Sequence, residues 1–509
     1  VHWDRLLRNI FSNWTSYVVT AVVGFLLTPI IVQSLGATGY GLWTLVLSIT
    51  GYFGLLDLGI RSSVSRFLTR HLALDDHTGV NRMASTAFLI LACGGIFAFL
   101  ATLVIAAFFF DSFRIDAEYA SAGRIALLIT GLNISVLLPL GLFSAVLYAS
   151  ERFDIVSGVT IVMEVTRAAL VVWLLRNGHG LVALALLALA ITAVQYVGLA
   201  VVAKALHPEL KVARRYVDRT ACGELLGFSI YRFIWIVANQ VIFYSDALVI
   251  GIFLGAGAIT PYAIAVSLIN YGRQIVFLLL DPFYPSAARM DARGDVAELK
   301  RLLIVGTRMA LLVTLPLCLG YLFLGRQFIT LWMGEAYADS AVILIVLTIA
   351  QFAAMPQYVS TLVLAGMAKH RPFAYVALGE GLANLVLSIV LVQKIGLIGV
   401  AWGTVVPSLL TNTVVVPLYT LRVLNMRYRD YLVGAFLRPV LCALPIAVMA
   451  YSFSRLRPTT WLTFGSEAIS ICGVFAVTSY FLCLYSEQRA AVAARFWGLF
   501  RQASAADGI

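Results

Sequence analysis

Seven charged residues lie in the middle of hydrophobic stretches of this 509-residue chain. Glu164 and Arg167 share one stretch, Arg232 and Asp246 a second, Arg273 and Asp281 a third, and Glu380 lies in a fourth. In the centre of a bilayer each such group costs about 2.5–3.5 kcal/mol on insertion scales. Residues of this kind face a polar interior and mark a pathway. Spacing turns two of the stretches into stripes. Arg232, Asn239 and Asp246 recur every seven residues, a drift of about 20° per step on a straight helix. Asn270, Arg273, Gln274 and Asp281 fall within an arc of about 100°. Each stripe joins a guanidinium, an amide and a carboxylate on one helix face.

Glu164 and Arg167 stand three apart and can pair on one face. An inert structural pair and a working site are equal readings. Glu380 has Ala383 where that arginine would stand, which makes it a candidate proton carrier or a carboxyl bonded to a neighbouring helix. Asp57 and Arg61 stand four apart, in the order that suits a helix. Arg308 and Arg438, close to span starts, are expected to snorkel.

The elements that must position these groups are membrane helices. The chain is 61% hydrophobic and 12% charged, with a mean hydropathy of +0.93. A soluble domain is about 45–50% apolar and about 25% charged. No polar segment is long enough to build a soluble core. The stretch from Phe11 lacks a small-residue cleavage site and reads as a full span rather than a signal peptide. Fourteen stretches reach the length of about 20 residues that a crossing needs. The fold expected is all-α and polytopic. Six scattered cysteines form no CxxC and no Cys/His cluster, so neither a disulfide framework, a zinc site nor a cofactor is indicated.

An even span count puts both termini on one side. With the N-terminus inside, inner segments carry 24 Lys and Arg and outer segments 7. The positive-inside rule therefore predicts cytoplasmic termini. The net charge of +11 is a topology signal. No basic patch lies outside membrane-flanking loops, which argues against nucleic acid as a partner. The basic loop with Lys211, Arg214, Arg215 and Arg219 suits anionic lipid headgroups.

An internal repeat divides the spans. LGATGYGLWTLVLSITGY at 35–52 and LGAGAITPYAIAVSLINY at 254–271 align at an offset of 219. Pro139 matches Pro356 at 217, and Glu164 matches Glu380 at 216. Two six-span lobes of the same orientation follow, the arrangement of transporters that hold substrate between parallel repeats. The expected organisation is an N-lobe over 1–206, a basic linker over 207–223, a C-lobe over 224–421, and two further spans with a tail over 422–509.

Residues 13–68 carry a family resemblance. A Pro in the first span, then LG-x-x-x-YGLW, then LLDLGI and a basic helix end resemble the opening of Wzx-type polysaccharide flippases. Those belong to the MOP exporter superfamily, together with MATE drug exporters and the lipid II flippase. The resemblance implies translocation of undecaprenyl-diphosphate-linked oligosaccharide repeat units to the outer leaflet by alternating access, for O-antigen, capsule or exopolysaccharide. It implies a bacterial inner membrane and a charged central cavity. The diphosphate needs cationic partners and the sugar needs amides or hydroxyls. Arg232, Asn239, Asp246, Asn270, Arg273, Gln274 and Asp281 are the candidates, with Asp57 and Arg61 at the cytoplasmic mouth. Glu164, Arg167 and Glu380 are candidates for ion coupling or structural pairing.

Membrane lipids, a polysaccharide polymerase and glycosyltransferases are the partners expected of such a protein, acting as a monomer. A MATE-type cation exporter is the alternative within the superfamily. A membrane polymerase or ligase is the alternative outside it, and would display a sizeable outer loop with catalytic residues. The outer loops near 110–121 and 326–339 are short and show no such constellation.

Overall fold

The computed structural model describes residues 3–227, 230–369, 371–456 and 460–483. The described residues form helices and no strand. In hydrocarbon each backbone N–H and C=O must be satisfied within the chain, and a helix does so within one segment. The helices are α1 (Trp3–Gly51), α2 (Ile60–Ala73), α3 (His77–Val104), α4 (Ala117–Ala149), α5 (Phe153–Arg176), α6 (Leu181–Leu206), α7 (Arg219–Gly227), α8 (Ile230–Phe253), α9 (Ile259–Leu280), α10 (Phe283–Ala292), α11 (Val296–Met333), α12 (Ser340–Gly366), α13 (Arg371–Ile395), α14 (Leu397–Leu410), α15 (Val416–Val423), α16 (Tyr428–Tyr431), α17 (Arg438–Ser454) and α18 (Trp461–Leu482).

Among the described residues, thirteen helical segments are long and apolar enough to cross a membrane. The first, Trp14–Asp57, runs 44 residues, about 66 Å of helix against about 30 Å of hydrocarbon. Gly36, at φ 71° and ψ 178°, breaks it into two helices. The first two of the fourteen expected spans, 10–34 and 38–60, thus fall within one continuous segment. Gly255, the repeat partner of Gly36, adopts the same backbone shape at φ 95° and ψ 168°. Both glycines occupy a region that side chains disfavour, so the Leu-Gly-Ala repeat encodes a conformation.

The helices pack into two compact units. One comprises the described residues of Val1–Ile264 and Arg371–Pro407, the other those of Ala265–His370 and Ser408–Ile509. These packing units divide the chain differently from the repeat. In the first unit a core of Ile60, Leu68, Met83, Leu91, Leu142 and Leu147 joins α2, α3 and α4. In the second, Val276, Leu303, Met355, Val363 and Tyr431 join α9, α11, α12 and α16.

The basic linker is strapped onto α3. Asn81 Nδ2 donates to Glu209 O at 3.2 Å, and its Oδ1 accepts from Lys211 N at 2.7 Å. Ser85 Oγ accepts from Ala213 N at 3.1 Å, and Thr86 Oγ1 accepts from Asp218 N at 3.0 Å. One polar helix face thus satisfies the backbone of an extended segment, as buried backbone requires.

Prolines in the second unit create acceptors that side chains answer. Pro417 has no N–H for the Thr413 carbonyl one turn back; Tyr428 Oη donates there at 3.1 Å. Residues Leu432–Leu437 form a π-turn, in which Gly434 O would meet Pro439, also without an N–H. Arg308 Nη2 donates to Gly434 O at 2.6 Å instead. Arg308 is only 7% exposed, so the expectation that it snorkels is overturned. The carbonyl orphaned by Pro439 holds it inside. Cys442 and Cys483, unrelated in sequence spacing, meet with Sγ atoms 3.4 Å apart as free thiols.

Candidate functional site

Asp246 of α8 is 5% exposed. Within its unit, the first residues of α9, together with α13 and α14, bring partners to it. Tyr262 Oη donates to Asp246 Oδ2 at 2.5 Å, and Thr404 Oγ1 donates to the same oxygen at 3.0 Å. Asn384 Nδ2 donates to Thr404 Oγ1 at 3.0 Å. A threonine hydroxyl has one proton. Thr404 directs it at the carboxylate, so its other neighbour must be a donor, which turns the Asn384 carbonyl away from it. Ser388, fully buried, donates to Val400 O at 3.4 Å. Asp246 Oδ1 and Asn384 Oδ1 are buried and have no hydrogen-bond partner among the described residues. No lysine, arginine or histidine offsets the Asp246 charge among the described residues.

Local sequence explains how α14 comes so near. Gly399 and Gly403, four apart, lie on its α13 side. A Cβ on Gly403 would sit 2.6 Å from Ser388 N, and one on Gly399 would sit 2.5 Å from Leu391 C. The small-xxx-small spacing lets two backbones touch and delivers the adjacent Thr404 to Asp246.

The second unit carries a different polar stripe. Asn270 and Arg273 of α9 are half-buried, while Gln274 and Asp281 are exposed. The Arg273 guanidinium lies 5.4 Å from the Phe277 ring centroid, within cation–π range. Phe277 packs on Tyr358 of α12 with centroids 4.1 Å apart. Tyr358 Oη donates to Asp281 Oδ1 at 2.8 Å. A ladder of cation, two rings and carboxylate thus runs along the stripe. Tyr321 of α11 pins α9 by donating to Leu268 O at 2.6 Å.

The remaining candidates divide. Asp57 and Arg61 pair, with Arg61 Nε donating to Asp57 Oδ1 at 2.9 Å. They do not share a helix, which corrects the expectation. Leu58 and Gly59 turn left-handed at φ 50° and 71° between a 3-10 turn and α2, and the pair bridges that break. Arg167 Nη2 and Nε both donate to Glu164 Oε2, at 2.6 and 3.1 Å. Glu380 is half-buried on α13, one turn from Asn384 and two from Ser388. Asn239 is half-buried on α8. The Arg232 side chain lies outside the described residues.

Sequence reasoning found Asp246 and missed Tyr262, Asn384, Ser388 and Thr404. The available signal was the run Glu380, Asn384, Ser388, polar at every fourth position of an apolar helix. It shares the α13 face that α14 covers.

The profile of a family described as polysaccharide biosynthesis protein matches residues 6–291, more than half of the chain. The chain belongs to this family. It is 23% identical over 505 residues to the uncharacterized membrane protein EpsK of Bacillus subtilis (strain 168), covering 96% of this chain and 97% of that one. It is 22% identical over 420 residues to a putative O-antigen transporter of Shigella flexneri, covering 82% and 98%. Among solved structures the family member superposes on the lipid II flippase MurJ in an inward closed conformation with a TM-score of 0.71, at 15% identity, over 92% of this chain and 97% of that one. An inward-facing MATE multidrug transporter of the MOP superfamily gives 0.66, at 13% identity, over 81% and 94%. The chain therefore shares the fold of these two structures and is a multi-pass membrane protein.

Proposed function

We propose that this chain is a flippase. It carries undecaprenyl-diphosphate-linked oligosaccharide repeat units from the cytoplasmic to the outer leaflet of a bacterial inner membrane by alternating access. It is a transporter with no catalytic step of its own. Family membership and the O-antigen transporter relative support the substrate class. The observation that carries the reading is Arg273, a half-buried arginine well inside α9 beside an amide, two rings and a carboxylate. A guanidinium is the group suited to a diphosphate, and Asn270 and Gln274 offer amides to sugar. Asp57 and Arg61 are the proposed first contacts at the cytoplasmic side. The excess of Lys and Arg in alternate loops supports cytoplasmic termini. Polymerase and glycosyltransferases are the natural neighbours for such a monomer.

The test is reconstitution. Proteoliposomes holding purified protein are loaded with a fluorescent undecaprenyl-diphosphate oligosaccharide, and exposure of the headgroup is followed with a membrane-impermeant quencher. The wild type is expected to equilibrate the leaflets. Failure to do so, with MurJ-type lipid II and MATE-type organic cations moved instead, sinks the reading.

A further inference from the structure

The second unit holds a cavity whose lining shares no residue with the Arg273 stripe. Its volume is about 290 Å³, at the lower edge of ligand pockets. Phe352 and Gln357 of α12 form one wall. Asn412, on a π-turn at Thr411–Val415, forms the second. Tyr428 of α16 and Leu432, which opens the π-turn at Leu432–Leu437, form the third. A π-turn carries one residue more than a helical turn and swells the helix. Two such turns border one gap, so the helices that carry them do not close on each other.

The lining suits an apolar occupant. Gln357, buried on the floor, donates from Nε2 to Tyr431 Oη at 3.1 Å and accepts from Ser360 Oγ at 2.8 Å. Asn412 Nδ2 donates to Ser408 O at 2.9 Å, and Tyr428 Oη donates to Thr413 O at 3.1 Å. These side chains turn their donors into the protein, so a ligand gains little by hydrogen bonding to them. Thr413, Tyr428 and Leu432 are exposed and mark the mouth, with Val433 and Leu437 exposed beside it. Exposed apolar side chains of a membrane helix meet lipid chains. A water takes about 30 Å³ of liquid, and at about that volume per methylene the cavity holds roughly ten carbons. That is part of one acyl chain and only a small piece of a polyprenyl chain.

Charge at the mouth says which lipid. Arg427 and Arg429 flank Tyr428, and Arg422 lies in the last turn of α15. Asn425 N donates to Arg422 O and Met426 N to Leu421 O, so the chain folds back between them. Lys300 Nζ donates to Asn425 O at 2.9 Å and fixes that turn to α11. The three arginines are exposed, as is the neighbouring Asp430, which leaves a positive excess. The positive-inside bias assigns this end to the cytoplasm, where anionic headgroups lie. Guanidinium groups take phosphate oxygens in pairs.

We propose that the cavity holds one acyl chain of an anionic phospholipid from the cytoplasmic leaflet, with its phosphate against Arg427 and Arg429. The lipid fills the gap between the two π-turns and steadies α16 against α12. It is a resident ligand and not cargo, so the inference is independent of the flippase reading.

Purified protein is stripped of lipid in detergent, and binding is followed by native mass spectrometry and thermal unfolding. Phosphatidylglycerol is compared with phosphatidylcholine of the same chains. The wild type is expected to hold one phosphatidylglycerol per chain and to melt at higher temperature as that lipid rises. Its preference over phosphatidylcholine is expected to be roughly 25-fold, about fivefold for each of two arginines. The double variant Arg427→Gln, Arg429→Gln changes only exposed side chains and is expected to erase that preference. Ala353→Leu narrows the cavity, and Leu432→Trp blocks its exposed mouth without touching the floor. Each is expected to weaken binding of both lipids. Equal affinity of the wild type for the two lipids overturns the proposal, as does undiminished binding by Leu432→Trp. Displacement of phosphatidylglycerol by an equal concentration of a polyprenyl phosphate assigns the cavity to an isoprenoid and also overturns it. None of these readouts needs transport, so glycan flipping can fail while this inference stands.

Discussion

Two tyrosine–aspartate pairs serve opposite ends here. Tyr262 donates to Asp246 inside the first unit, and Tyr358 donates to Asp281 inside the second. The residue types are the same and the distances differ little. Their surroundings do not. Asp246 is buried among hydroxyls and an amide with one oxygen unsatisfied, whereas Asp281 is exposed at a helix end beside an aromatic ladder that leads to Arg273. A buried carboxylate held by two hydroxyls is shut away from any large ligand. An exposed one on a cationic, aromatic stripe can attend a large polar headgroup. Burial, more than residue type, sorts the intramembrane charges into two roles.

The largest effect expected on transport falls on the exposed stripe. Arg273→Ala removes charge-assisted hydrogen bonds worth about 1.5–3 kcal/mol each. Flipping in proteoliposomes should fall roughly 10- to 100-fold, with insertion and thermal stability unchanged. Equal loss of both would merge the two regions into one site. Gly403→Leu comes next. A side chain there drives into Ser388, and overpacking costs about 1–3 kcal/mol. Thermal stability should drop, because α14 is pushed from α13 and carries Thr404 away from Asp246. Tyr358→Phe should cost less, about 0.5–1.5 kcal/mol, since water replaces the lost donor at Asp281. A loss of thermal stability as severe as that of Gly403→Leu would break the contrast.

The smallest effect lies outside the membrane. Asp76 caps α3, accepting from Gly79 N at 2.9 Å and facing His71 Nδ1 at 2.8 Å. The Gly79 backbone bond, then His71, hold its carboxyl below the ordinary 3.8. A depressed value means that the cap contributes above that pH and is lost as pH falls through the lower folded value. Melts of the wild type and Asp76→Ala should therefore differ slightly at pH 6 and converge in strong acid. Neither tyrosine–aspartate pair should feel the change.

Much of the fold was legible because lipid leaves few alternatives. Spans could be counted from hydropathy, and the Leu-Gly-Ala repeat marked two backbone breaks that Gly36 and Gly255 make in the same way. The Glu164–Arg167 pair was legible from its spacing alone. The Asp57–Arg61 pair was right in partners and wrong in cause, since Gly59 ends one helix and starts another between them. Arg308 read as a snorkelling side chain because its position in the chain hides Gly434, which stands 126 residues on.

Taken by itself, the sequence determined the helical class, the number of crossings, the intramembrane charges and their period on each helix. These follow from local chemistry: apolar length, helical repeat and the bends that glycine and proline allow. Only the tertiary structure decided which charges are buried and what they meet. Asp246 acquires Tyr262, Asn384, Ser388 and Thr404 from three other helices, two of them more than 130 residues away. That meeting depends on Gly399 and Gly403 letting two backbones touch. Local rules set the face on which a residue stands; close packing between distant helices sets whether that face is sealed inside the protein or left open.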